Sequence, residues 1–148
     1  MIALDTNILV YAHRQDSPFY AAAARCLATL AGGTATWGIP WHCLHEFLAI
    51  VTHHRIYAPP TPLVRALDQI DAWLESPTVA VLAESAQHWP TLRTVLVQGR
   101  IAGPQVHDAR IAAVCQQHGV RELWSADRDF SRFSALKVVN PLVADPLG

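Results

Sequence analysis

Near the end of the chain the stretch "ELWSADRDF", residues 122 to 130, climbs through Leu123 and Trp124 as a buried strand does, then delivers Asp127 and Asp129. Carboxylates can shape turns, cap helices, move protons or hold hard cations, and position decides among these roles. Two acids around Arg128 in a loop are ordinary alone; two acids at the end of an apolar strand point to a site. Asp5 has a similar setting, between the apolar "MIAL" and "TNILVYAH". It can cap the helix that follows, and Thr6 or Asn7 can do so equally, leaving Asp5 free to point outward.

Asp108 carries a sharper signal. It lies three residues before Ile111 and four before Ala112 in "PQVHDARIAAVCQQHG", so it shares their side of a helix. An acid near a helix start ordinarily faces water and answers the macrodipole. One on the apolar side has to be paired or metal-bound. Glu46, in "HEFL", lies opposite Leu44 and Leu48, on the side of His42, Ala49 and His53. A solvated face is its ordinary explanation, although small Ala49 leaves room for a ligand. The combination outweighs any member: two carboxylates about 4 Å apart repel by roughly 4 kcal/mol at a near-surface effective dielectric. A hard cation with oxygen ligands, Mg²⁺ or Mn²⁺, removes that cost and can activate water for displacement at phosphorus.

The elements that must hold these acids alternate strand with helix. "MIAL", "TATWGI", "TVAVLA", "ELWSA" and "KVVN" are the expected strands. Between them, "DTNILVYAH" turns into a helix. "SPFYAAAARCLATLAGG" is a helix with Ser17 as cap, Pro18 in its first turn and Gly32-Gly33 at its end. Pro40 opens "PWHCLHEFLAIVTHH", with a stripe of Leu44, Phe47, Leu48 and Val51. Thr61-Pro62 opens a helix with Leu63, Leu67, Ile70 and Leu74 at helical spacing, and "HWPTLRTVLVQ" is another; Gly119 closes the helix that holds Asp108. Alternation of this kind argues for an α/β sandwich with a mostly parallel sheet of about five strands covered on both faces. Sites in such sheets form beyond the carboxyl ends of strands, where the order reverses. Asp5 and Asp127 both stand at strand ends.

At 148 residues the chain suits one domain spanning 1–148, and 51% hydrophobic against 16% charged residues can fill a core. "YAPPTP" (57–62) is a loop within it, and the tail "NPLVADPLG" is expected over the surface. A net charge of -1 disfavours a simple basic nucleic-acid binder but not a nuclease whose cations supply positive charge. Cys26, Cys43 and Cys115 are too scattered for a zinc site and fit thiols in a reducing cytosol, so a cytoplasmic location is expected. No signal peptide and no membrane-spanning run is expected.

With these residues placed, the chain resembles the PIN-domain family, most closely its VapC-type toxins of toxin–antitoxin pairs. The resemblance runs over nearly the whole chain, through "ALDTN" (Asp5, Thr6, Asn7), "HEFL" (Glu46), "HDARIAAVC" (Asp108) and "SADRDF" (Asp127, Asp129), with Ser125 where the family often has threonine. It implies a three-layer fold and an acidic pocket of Asp5, Glu46, Asp108 and Asp127, with Asp129 a lesser member. Asn7 and Thr6 would orient Asp5, and Ser125 would bond a neighbouring carboxylate. The implied activity is Mg²⁺-dependent endonucleolytic cleavage of RNA (Mn²⁺ possible), and the implied partners are an RNA substrate and a cognate antitoxin. Arg14, Arg100, Arg110, Arg128 and Arg132 are candidates for phosphate contacts. A homodimer is also expected. Its apolar surface, which an antitoxin segment would share, would be the helix of Leu63 to Leu74 with Trp73, together with Trp41.

Competing chemistries fit less well. A zinc peptidase would need histidine at position 49, where Ala49 stands, although His42 and His45 with Glu46 could still approach a zinc ion. A phosphotransfer receiver wants an acid pair near the first strand, and a haloacid-dehalogenase phosphatase wants a second Asp at the position of Asn7. The alternative of another class is a non-catalytic PIN-like module that holds RNA or protein; retained acids argue against it, and metal-dependent RNA loss separates the two.

Overall fold

The computed structural model describes residues 1–143. Five short strands, β1 (Ile2–Leu4), β2 (Trp37–Pro40), β3 (Val79–Leu82), β4 (Glu122–Trp124) and β5 (Lys137–Val139), form one sheet in the order β3-β2-β1-β4-β5. Every pairing is parallel. The expected parallel α/β architecture is thus observed. β1 is central and wholly buried, which suits its continuous apolar run. The edges are less covered: Val79, Ala80 and Val81 are half-buried and Lys137 is exposed. Gly38 leaves room over β2 for the Leu82 and Met1 side chains, since a Cβ there would meet Leu82 Cδ1 at 2.9 Å.

The chain leaves β1 to build β2 and β3 on one side, then returns to build β4 and β5 on the other. Right-handed crossovers therefore lay helices over both faces and open a crevice between the ends of β1 and β4. The connecting helices are α1 (Thr6–His13), α2 (Tyr20–Gly32), α3 (Trp41–Val51), α4 (Leu63–Leu74), α5 (His88–Gly99) and α6 (Val106–Gln117). Short 3₁₀ turns at Gly103–Gln105 and Arg128–Arg132 introduce α6 and follow β4. Gly119, at φ +66°, ends α6 as expected.

Three details differ from expectation. Ser17 does not cap α2: its Oγ accepts from the Phe19 N–H, one turn early, and the helix begins at Tyr20. Leu63 and Leu67 are 60% and 43% exposed, and α4 buries Ile70 of the expected stripe together with Ala66 and Trp73. Trp73, expected at the surface, is only 9% exposed, because its ring packs edge-on against Phe47 of α3 at 4.9 Å. An indole inside this helix pair contributes more buried area than leucine, so the helix turns that way. The part of the tail "NPLVADPLG" from residue 144 onward lies outside the described residues. None of the described helices is long and apolar enough to cross a membrane.

Candidate active site

Asp5 is the hub of the crevice. Its backbone N–H bonds the Trp124 carbonyl at 3.0 Å, so β1 and β4 stay paired up to the point where both chains leave the sheet. It both caps α1 and belongs to the site. Oδ1 accepts the Thr6 N–H at 2.8 Å. Oδ2 accepts from Ser125 Oγ at 2.7 Å and from Asn7 Nδ2 at 3.3 Å. It does not point outward, being 5% exposed. Burial pushes its carboxyl from 3.8 up to about 6 against the pull of the Ser125 and Thr6 hydrogen bonds, and Glu46 and Asp108 add to the rise.

Ser125 and Asn7 cross-link the crevice. Asn7 Nδ2 also donates to Ser125 Oγ at 3.2 Å, and its Oδ1 accepts the Ala126 N–H at 3.1 Å. Ser125 Oγ further accepts the Asp127 N–H at 3.0 Å. One hydroxyl therefore ties the Asp5 carboxylate to the backbone of Asp127. Thr6 does not orient Asp5 with its side chain: its Oγ1 donates to Glu46 Oε1 at 3.3 Å, reaching from α1 to α3. Glu46 is thereby drawn into the crevice, because its side of α3 faces the start of α1 and not open water alone. Its second partner is His42 Nε2, at 3.0 Å from the same oxygen.

Opposite stands α6. Asp108, Asp127 and Asp129 each bring a carboxylate oxygen within 4.8 Å of the others. Asp127 is placed by the turn after β4, where its Oδ1 accepts the Asp129 N–H at 2.9 Å. Asp129, expected to be a lesser member, is thus one of the three that meet. The signal that could have placed it is the one-residue spacing, which a 3₁₀ turn folds back on itself. Asp108 is held up at about 6, first by burial, then by the charges of Asp127, Asp129 and Glu46. Oxygens on opposite sides of a Mg²⁺ lie about 4.2 Å apart, so small side-chain rotations would bring the three onto one ion. The donor set is all oxygen and favours a hard cation over zinc. Asp5, Thr6, Asn7, Glu46, Asp108 and Asp127 line one cavity of about 270 Å³, walled also by Val10, Tyr11, Ile50, Tyr57 and Ile111.

The arginines divide. Arg14 is held by Asp16 at 2.5 Å and lies over the Tyr57 ring at 4.1 Å, at the cavity's apolar wall. Arg110 is engaged by Glu84 and by His42 Nδ1, and Arg132 by Gln105 at 2.9 Å. Arg100 serves as the left-handed C-cap of α5 at φ 52°. Arg128 is exposed beside Asp127 and lines an adjoining cavity of about 580 Å³. His42 was legible in the sequence as a neighbour of Glu46 and as a candidate zinc ligand, not as a partner of Arg110. Burial lowers its pKa, with Arg110, His107 and His45 acting the same way against the pull of Glu46.

This geometry has relatives. A family model described as PIN domain matches residues 2–136. The ribonuclease VapC43 of Mycobacterium tuberculosis is 34% identical over 142 residues, covering 96% of this chain and 96% of that protein. Two solved structures share the fold. VapBC2 from Rickettsia felis bound to a promoter DNA fragment matches with a TM-score of 0.65 at 24% identity, covering 94% of this chain and 98% of that one. Mycobacterium tuberculosis VapC20, a sarcin-ricin loop cleaving toxin, matches with 0.67 at 19% identity, covering 88% and 93%. With strand order, acidic crevice and near full-length similarity in agreement, the chain belongs to the PIN-domain family, among its VapC members.

Proposed function

We propose that this chain is a divalent-metal-dependent endoribonuclease and the toxin of a toxin–antitoxin pair. The observation that carries the reading is the meeting of Asp108, Asp127 and Asp129 within 4.8 Å at the same crevice as Asp5 and Glu46. The name of the 34% identical relative, a ribonuclease, supports it. Bound Mg²⁺ would supply Lewis-acid stabilisation of charge on phosphate and make water a better nucleophile. Asp108, Asp127 and Asp129 would hold the cation; Asp5, fixed by Ser125, Asn7 and Thr6, lines the same cavity as Asp108 and Asp127. Glu46, with one oxygen engaged by Thr6 and His42, would turn its other oxygen to the cation or to the water that the cation activates. Arg128, exposed next to Asp127, is the arginine best placed to meet a phosphate. Tyr11 and Tyr57 give the cavity an aromatic wall against which a base can lie.

The same reading assigns a partner. Leu63, Val64 and Leu67 on α4 are 60%, 68% and 43% exposed, and Trp41 is 43% exposed. We assign these exposed apolar side chains to contacts with an antitoxin segment and with a second copy of the chain.

The test is incubation of purified protein with a mixed RNA pool, with Mg²⁺ and with chelator, reading the cut ends. Cleavage with Mg²⁺, none with chelator and none by Asp108→Asn is the expected result. RNA retained by the protein but uncut under both conditions would overturn the reading in favour of a binding module. In cells, expression alone should arrest growth, and Asp5→Asn at equal protein level should relieve the arrest.

A further inference from the structure

Beside the acidic crevice runs a chain of side chains that family resemblance does not account for. Glu84, just beyond β3, pairs with the Arg110 guanidinium on α6. Arg110 NH1 lies 3.1 Å from His42 Nδ1 on α3, and His42 Nε2 lies 3.0 Å from Glu46 Oε1. His107, next to Asp108, stacks on the His42 ring at 6.1 Å with the planes 9° apart. A guanidinium can only donate, so Nδ1 must accept and the ring proton sits on Nε2, facing the carboxylate. Two donors, His42 Nε2–H and Thr6 Oγ1–H, then converge on Oε1 of Glu46. Among the described residues no side-chain donor engages Oε2.

We propose that His42 is a positioning residue: a neutral imidazole, its tautomer set by Arg110, that pins Glu46 Oε1 and presents Oε2 to the cation site. The proposal rests on the metal-dependent nuclease reading. Histidine and glutamate four residues apart on a helix surface usually stabilise by only a few tenths of a kcal/mol and can swing freely. Here the histidine is clamped from a second helix. The clamp starts on α6, the helix that carries Asp108, so it also sets the spacing between Glu46 and Asp108. Side chains that orient a ligating carboxylate in this way typically govern metal affinity by 10–100-fold.

The experiment has two arms on the full chain. The first records the ¹⁵N shifts of His42 in metal-free protein at neutral pH. The neutral Nε2–H tautomer is expected, and Arg110→Ala should disturb it. An Nδ1–H tautomer or a charged ring overturns the proposal without touching the nuclease reading. The second measures Mn²⁺ binding by calorimetry to wild type, His42→Ala, His42→Gln, Glu46→Gln and the double variant His42→Ala/Glu46→Gln. His42→Ala should weaken Mn²⁺ about tenfold, His42→Gln should recover most of the loss, and His42→Ala should add little once Glu46 is Gln. Unchanged affinity in His42→Ala, or losses that multiply in the double variant, overturns the proposal. Absence of Mn²⁺ binding by folded wild type overturns the nuclease reading and the proposal together. Circular dichroism on each variant separates a lost fold from a lost site, and His42→Gln carries the test should His42→Ala not fold: Mn²⁺ affinity that falls as far in Gln as in Glu46→Gln would overturn it.

Discussion

Replacing Asp5 with asparagine removes a buried charge while keeping the shape, and its effect on stability should turn with pH in a calculable way. Burial lifts the Asp5 carboxyl from 3.8 to about 6. A folded pKa above the unfolded one makes the ionised group destabilising: the penalty is full above the folded value, fades as pH falls through it and is gone below the unfolded value. Its full size is about 3 kcal/mol at roughly 1.4 kcal/mol per unit. Between about pH 7.5 and about pH 4.5 the wild type should recover about 2 kcal/mol of this, and Asp5→Asn should recover none. The variant has its own cost. Asparagine can still cap α1 through its oxygen, but its NH₂ would face the Asn7 Nδ2 donor and a Ser125 Oγ that already accepts from Asn7 and Asp127. One unsatisfied donor costs about 1–3 kcal/mol at any pH, so the two proteins should be nearly equal near neutrality. The assay is urea denaturation of both in chelator across that pH range, read as the gap between them. A gap that stays constant, or that moves against the wild type on acidification, refutes the reasoning; the latter would mean that the Ser125 and Thr6 hydrogen bonds outweigh burial.

Asp108→Asn should melt as high as wild type or higher in chelator, gain less from millimolar Mg²⁺ and lose nearly all RNA cleavage; a structural helix-start role would instead lower its melting in chelator and leave the Mg²⁺ gain intact. Val64→Asp with Leu67→Asp should reduce self-association and antitoxin binding in sedimentation runs at high micromolar concentration without lowering the melting temperature. Trp73→Glu tests packing, not that surface: losing the indole against Phe47 and burying a charge should cost about 3–5 kcal/mol in a denaturant titration. Arg100→Gly should relieve the left-handed residue at the end of α5 and raise stability by about 0.5 kcal/mol, the difference between strain relieved and chain entropy added, measured the same way.

Much of this arrangement was legible because local rules and tertiary rules agree. Asp5 and Asp127 stand at the ends of apolar strands, and the alternation of elements places those ends together wherever the strand order reverses. Asp108 was visible from its place on the apolar side of α6. Glu46 was harder, because a helical wheel reports which side opposes the core stripe and not whether another element lies over it; here the start of α1 does, through Thr6. Asp129 was underweighted because its approach to Asp108 depends on a 3₁₀ turn that two acids and an arginine do not announce. The α4 stripe misled for a related reason. Leu63 and Leu67 have helical spacing, but one tryptophan contact with Phe47 decides which way the helix faces. The arginines were the least legible: Arg110 is committed to Glu84, whose proximity only the folded chain creates, while Arg14 is taken by Asp16 two residues on.

The pairing of β1 with β4 also sets a timetable for synthesis. Asp5 is made among the first residues, yet its Ser125 partner lies 120 positions later. Until β4 and Ser125 have left the ribosome, β1 has an open edge on that side and Asp5 lacks the hydroxyl that ties it to Asp127. A nascent chain therefore carries an incomplete site until then, and its three acids, on α6 and on the turn after β4, cannot meet before Asp129 emerges. Emergence of the Ser125 to Asp129 stretch, and not the appearance of the first motif, marks the moment at which the site can assemble; until then the unpaired strand edge is a surface for chaperones or for aggregation.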